Sequence, residues 1–191
     1  DKGRIFEGAR VACAYNVADA TTRRLVEEAD VADGARAVGF TLGSPGRAEI
    51  GLIEDIAVDR AFHTHASDPG RHSSAEEIFT LADLEHLAGP DGRVAPHVVA
   101  NVLAAAALAR AHGLSADDVR RGARAFRPGQ HRIETVATAS VPGGSVSFVD
   151  DSKATNAHAA SASLAAFAPG SVVWVAGGLA KGARFDDLVI E

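Results

Sequence analysis

At 191 residues with 47% hydrophobic side chains, the chain can bury one good core, or one core and part of another. Its net charge of −6 with arginine scattered along the chain excludes the basic footprint of a nucleic-acid binder. Cys13 is the only cysteine, so it reads as a buried reduced thiol rather than half of a disulfide. No apolar run reaches membrane-spanning length and no signal peptide is recognisable, so a cytoplasmic location without membrane insertion is expected.

Arg10 to Tyr15 predicts a short strand, Ala20 to Ala29 a helix on the spacing of Leu25, Val26 and Ala29, and Ala35 to Leu42 a second strand; together they make a βαβ unit. Glu49 to Phe62 carries two short apolar runs around Glu54-Asp55, the pattern of a hairpin or sheet edge. His63 to Ser74, with Asp-Pro-Gly-Arg inside it, reads as loop. After an apolar segment at Ile78 to Leu84, Pro96 opens a long alanine and leucine helix that Gly113 closes. Ser115 with Asp118 forms a capping-box pattern for another helix, ending before Pro128.

Arg127-Pro128-Gly129 interrupts this pattern and predicts a domain boundary. Beyond it come a strand at Ile133 to Ala137, a Pro142-Gly143-Gly144 turn, a strand at Val146 to Asp150, a helix from Ala157 to Ala168 and a strand at Val172 to Ala176. Alternating β and α elements on both sides of the boundary predict an α/β protein with parallel, doubly wound sheets and ligands at the strand C-terminal ends. The lack of methionine and the apolar run at Leu188 to Ile190 lead us to expect a piece of a longer polypeptide.

The loop Asp150-Asp151-Ser152-Lys153-Ala154-Thr155-Asn156 delivers two carboxylates, an ammonium, two hydroxyls and an amide off a strand end. Thr155 or Asn156 is placed to cap the following helix, whose N-terminal N–H groups favour anions. Of the 19 basic residues only Lys2, Lys153 and Lys181 are lysine. A compact ammonium, or an amine that can be modified, requires lysine where a plain positive charge does not.

Pro96-His97-Val98-Val99-Ala100-Asn101, then Phe126-Arg127-Pro128-Gly129-Gln130-His131-Arg132-Ile133-Glu134, then Asp151 to Asn156, then Gly177-Gly178 with Lys181, follow one another in this order. In order and spacing this set resembles the Mur ligases, most closely the branch that adds D-glutamate to the peptidoglycan precursor. The resemblance covers essentially the whole chain. It implies that residues 1–127 are the second half of a central ATP-binding domain of ATPase type, and residues 128–191 the first half of a Rossmann-like C-terminal, amino-acid-binding domain. It also implies an ATP- and Mg²⁺-dependent ligase that joins UDP-N-acetylmuramoyl-L-alanine to D-glutamate through an acyl phosphate, as a monomer.

Residue by residue, the resemblance implies that Asn101, Arg132, Asp151 and His97 bind ATP. Lys153 is implied to act on phosphoryl oxygens, and Thr155, Lys181, Ser152 and Asn156 to hold substrate. Lys2 matches the family's carbamylated lysine, whose oxygens suit Mg²⁺. Bland roles compete with these: helix capping at Thr155 and Asn156, a helix-to-helix hydrogen bond at Asn101, packing at His97, and an ion pair with Glu134 at Arg132. The remaining histidines, His63 and His65 included, read as exposed loop residues rather than metal ligands.

Two departures matter. The family's Gly-Lys-Thr phosphate loop is not in these 191 residues, and Val98 stands where the family has asparagine. The 191 residues alone are therefore expected to fold at least in part but neither to hydrolyse ATP nor to form an amide. Another Mur ligase or folylpolyglutamate synthase is the alternative within the class, and a non-catalytic nucleotide-binding module the alternative outside it.

Overall fold

The structure, a computed structural model, describes residues 2–65, 67–89 and 92–179. It is an α/β protein that divides into two compact units. One comprises the chain up to His86 with Val98–Phe126, and the other Leu87–His97 with the chain from Arg127 onward.

The first unit is built on a five-stranded sheet of β1 (Ala12–Asn16), β2 (Arg36–Thr41), β3 (Glu49–Ile53), β4 (Ile56–Asp59) and β5 (Glu76–Thr80), in that spatial order. β1, β2 and β3 are parallel, and β4 and β5 add to the edge antiparallel. The crossover between β1 and β2 carries α1 (Ala20–Glu27), started where the Asp19 carboxylate accepts the Thr21 N–H at 2.8 Å. This is the expected βαβ unit, and β3–β4 is the hairpin expected around Glu54-Asp55, with Glu54 at φ 57° in its tight turn. Gly51 is required where it sits, because a Cβ there would lie 2.5 Å from the Gly43 carbonyl oxygen.

Pro96 begins α2 (Pro96–Ala111), which buries Val99, Leu103, Ala106 and Ala107. That spacing of four, three and one puts all four side chains on one face. Gly113 at φ 95° follows its end, a backbone conformation glycine adopts without steric cost. Ser115 and Asp118 form the predicted reciprocal capping box of α3 (Ala116–Ala125). Ile78, Phe79, Leu84 and Leu103 are fully buried, each contributing roughly 1.5–3 kcal/mol by its removal from water.

One buried charge enters this core. Asp59 at the end of β4 is 0% exposed and accepts hydrogen bonds from the N–H groups of Ala61 and Phe62, both at 2.7 Å. Arg110 of α2 reaches it at 2.7 Å and also pairs with Glu76 of β5. Burial raises the pKa of the Cys13 thiol, in keeping with an unreactive core cysteine.

The second unit contains an antiparallel hairpin, β6 (Glu134–Val141) and β7 (Gly144–Asp150), then α4 (Ala157–Leu164). Gly143 at φ 91° makes the turn. α4 stops four residues before the predicted Ala168: Ala166 and Phe167 donate to Ser163 and Leu164, three residues back, tightening the last turn ahead of Pro169.

The predicted strand Val172 to Ala176 is not formed among the described residues, and Val173 and Val175 are 93% and 89% exposed. The apolar run has the composition of a strand, but a strand also needs a neighbour to take its backbone N–H and C=O groups. Among the described residues β7 pairs only with β6, so the parallel partnership expected between 146–150 and 172–176 is absent there.

Candidate functional site

The chemistry-bearing residues of the second unit come together because of hairpin register. The turn at Pro142-Gly143 sets Val141 opposite Gly144, and an irregularity between Thr135 and Ala137 then shifts the pairing by one residue. Glu134 thereby faces Asp150. The segment carrying His131 and Arg132 arrives beside the loop that follows β7.

Three hydrogen bonds stitch the two segments, and a fourth braces the first of them. His131 Nδ1 meets Asp150 Oδ2 at 2.6 Å, and the Lys153 N–H donates to the His131 carbonyl at 3.2 Å. The Ile133 N–H donates to Asp151 Oδ1 at 3.2 Å, and the His131 N–H to Glu134 Oε2 at 2.9 Å. His131 and Ile133 hold positive φ values of 67° and 49°, and for a β-branched residue such as isoleucine that is a strained conformation. Strain on both sides of Arg132 persists because these hydrogen bonds over-determine the path.

Arg132 is exposed and forms no ion pair among the described residues; Glu134, its suggested bland partner, instead accepts from the His131 N–H. Lys153 is likewise exposed, with its ammonium unpaired among the described residues. The Ser152 hydroxyl and N–H both turn back onto Asp150. Thr155 is exposed, and Asn156 caps α4 by accepting the Ala159 N–H at 2.9 Å.

Electrostatics follow these contacts. The His131 hydrogen bond, reinforced by the Ser152 N–H and hydroxyl, lowers the Asp150 carboxyl to about 2. Burial pushes His97 below the ordinary histidine value, opposed by the charge of Asp151 and a hydrogen bond with the Ala162 backbone. His97 lies in the same unit as Asp151, and the downward shift favours its neutral imidazole.

Asn101 lies in the first unit, exposed on α2, and its side-chain amide makes no hydrogen bond among the described residues. The buried helix-to-helix bond weighed for it does not form among the described residues. The side chain of Lys2 and all of Lys181 lie outside the described residues. The sequence places His131 in a motif and Asp150 among the carboxylates of the strand-end loop, but points to no role for either. Counting cross-strand pairs outward from the predicted turn at Pro142 brings both residues to the same end of the hairpin.

In this α/β protein the strand-to-helix loop after β7 thus carries an exposed lysine beside an exposed arginine, neither in an ion pair among the described residues. Over all 191 residues the chain is 58% identical to the UDP-N-acetylmuramoylalanine–D-glutamate ligase of Streptomyces avermitilis. It is 55% identical over 189 residues to the ligase of that name from Streptomyces coelicolor, and 48% identical over 189 to that of Bifidobacterium longum. The matches cover 99–100% of this chain but only 36–38% of each relative, so the chain spans a little over a third of their length. No family model matches the chain. The similarity to D-glutamate-adding Mur ligases read from the sequence is thus shown from end to end.

Proposed function

We propose that the chain is part of an ATP-dependent ligase that joins the carboxyl group of UDP-N-acetylmuramoyl-L-alanine to the amine of D-glutamate in peptidoglycan synthesis. The observation that carries this reading is the end-to-end identity of 58% to a relative of that name. The residues up to 127 then supply the second half of the central ATP-binding domain, and those from 128 the first half of the amino-acid-binding domain. The protein acts in the cytoplasm as a monomer. Among the described residues no helix is long and apolar enough to cross a membrane.

The chemistry assigned to the site is positioning and charge stabilisation, since an acyl phosphate and a carboxylate-bearing amine meet there. ATP supplies the phosphoryl group that activates the substrate carboxyl. Arg132 and Lys153 suit it, being cations without carboxylate partners among the described residues. Arg132 offers a rigid fork to phosphate oxygens, and Lys153 a point charge to the oxygens of the transferred group. Asn101, exposed with its amide unpaired among the described residues, can both donate to and accept from an adenine.

Asp151 is assigned to the nucleotide, though one of its oxygens is occupied by the Ile133 N–H. His97 lies within the electrostatic reach of Asp151 and in its neutral form adds no competing charge. Thr155 and Lys181 hold the α-carboxylate of D-glutamate and so orient its amine, with Ser152 and Asn156 flanking Thr155 in its loop. No group of three or more His, Cys, Asp or Glu residues able to hold a metal occurs among the described residues. By resemblance the Mg²⁺ role is assigned to Lys2 in carbamylated form, whose oxygens suit that hard cation.

The test is phosphate release by the intact ligase, which should require both UDP-N-acetylmuramoyl-L-alanine and D-glutamate. Lys153→Ala should reduce kcat by about 100-fold or more. Binding of nucleotide without amide formation by the intact protein would instead identify a nucleotide-binding module. The 191 residues alone should show no turnover.

A further inference from the structure

A second feature lies in the first unit, in the β3–β4 region. A cavity of about 180 Å³ is lined by Arg47, Ala48, Arg60, Arg71 and His72. Acidic residues outnumber basic ones in this chain, 25 to 19, so arginines sharing a cavity would be expected to find carboxylates. Among the described residues none of Arg36, Arg47, Arg60 and Arg71 forms an ion pair. The acids nearest in sequence are engaged elsewhere: Glu49 accepts from the Gly46 N–H, Asp59 from Arg110 and two backbone N–H groups, and Asp68 from the Gly70 N–H.

Neutral carbonyls hold the guanidinium groups instead. Arg60 donates to the carbonyls of Pro45 at 3.1 Å and His72 at 2.8 Å, and Arg71 and Arg36 share the Ala61 carbonyl. A carbonyl fixes a guanidinium in place but does not neutralise it. Burial and then the charge of Arg71 lower the pKa of Arg36, and the Asp59 carboxylate, itself held by Arg110, offsets this only in part. Arg47 makes no hydrogen bond among the described residues, and its neighbour Ala48 holds φ at 57°, a left-handed conformation that costs a residue with a Cβ. Strain of that kind concentrates at ligand sites.

We propose that this cavity is the seat of a phosphoryl dianion, either inorganic phosphate or the head of a phosphomonoester, bound by Arg47, Arg60 and Arg71. Planar guanidinium forks match phosphate oxygens, and more than one of them together favours a dianion over a single carboxylate. The volume lies below the roughly 300–1,000 Å³ of sites that enclose a whole small molecule, so it suits an ion-sized head and not a nucleotide. This proposal goes beyond the ligase reading and does not rest on it.

The test is a sodium phosphate titration of the full chain at constant ionic strength, read at the Nε–Hε resonances of these arginines. Saturable shifts are expected at Arg60 and Arg71, with the affinity weakened about tenfold by Arg47→Gln. Arg47 is exposed and makes no hydrogen bond among the described residues, so that variant should fold as the parent does, and Arg71→Gln serves as a second probe. Methyl phosphate separates the sources: binding comparable to phosphate assigns a phosphomonoester, and much weaker binding assigns the free ion. Shifts that never saturate, or an affinity unchanged in Arg47→Gln, would overturn the proposal.

Discussion

His131 and Asp150 face each other across the base of the β6–β7 hairpin, with Nδ1 and Oδ2 2.6 Å apart. One is the residue before Arg132 and the other the residue before Asp151, so this hydrogen bond helps to join the two segments that carry the proposed ligand-binding residues. The same contact is the first cause of the low Asp150 pKa, about 2.

Asp150 should therefore titrate near pH 2 by carboxyl NMR and move back toward the ordinary aspartate value in His131→Ala. The sign follows from linkage. A carboxyl lowered on folding contributes stability that is complete above its unfolded pKa of about 3.9 and is lost as pH falls through the folded value. The hairpin base is then intact at neutral pH and loosens only in acid. A carboxyl that titrates normally in the parent chain would remove this contact from solution.

In the intact protein, Asp150→Ala should lower the kcat of the proposed ligase reaction by about 10- to 100-fold, because a misplacement of the order of 1 Å is enough for such a loss. Asp150→Asn keeps an acceptor for His131 and should retain most of the activity. If both variants behave like the parent, the pairing has no part in positioning Arg132 or Lys153.

His97 should titrate below the ordinary histidine value. Burial lowers it more than the charge of Asp151 and the Ala162 hydrogen bond raise it. A base depressed on folding contributes stability that is present above its unfolded pKa of about 6.5 and is lost as pH falls through the folded value. Histidine NMR resolves this. Asp151→Asn removes the opposing charge and should lower the His97 midpoint further, whereas an increase would contradict the contact.

Much of the first unit was legible in the sequence because its signals are local. The proline at 96, the glycine at 113, the Ser115–Asp118 pair and the turn at Glu54-Asp55 each act within a few residues, and each marks an element boundary in the structure. The Val172 to Ala176 run was misjudged because strand composition is local whereas strand formation is not. The His131–Asp150 contact was missed for a related reason: the residues are 19 apart in sequence and adjacent only through hairpin register. The buried Asp59 could not be told from an exposed strand-end aspartate until α2 brought Arg110 to it, 51 residues away.

That ion pair should matter for stability. Arg110→Met strands a carboxylate that is fully buried, and breaking a buried pair from one side costs about 3–5 kcal/mol. Asp59 retains two backbone N–H donors, which places the loss toward the lower end. Chemical denaturation of the full chain measures it, and a change within about 0.5 kcal/mol, as for an ordinary surface substitution, would show that the carboxylate finds other compensation.

Lys181 is one of only three lysines in a chain that otherwise uses arginine for positive charge. A seat for the α-carboxylate of D-glutamate shaped around a compact ammonium does not accept the wider guanidinium fork. If the intact protein catalyses the proposed reaction, Lys181→Arg should therefore raise its KM for D-glutamate about tenfold or more, the equivalent of one charge-assisted hydrogen bond. The KM for ATP should change far less, since Arg132 and Lys153 are assigned to its phosphates. Steady-state kinetics with each substrate varied in turn separates the two effects. A Lys181→Arg enzyme with parental kcat and parental KM for D-glutamate would take Lys181 out of the site and leave Thr155 without its proposed partner.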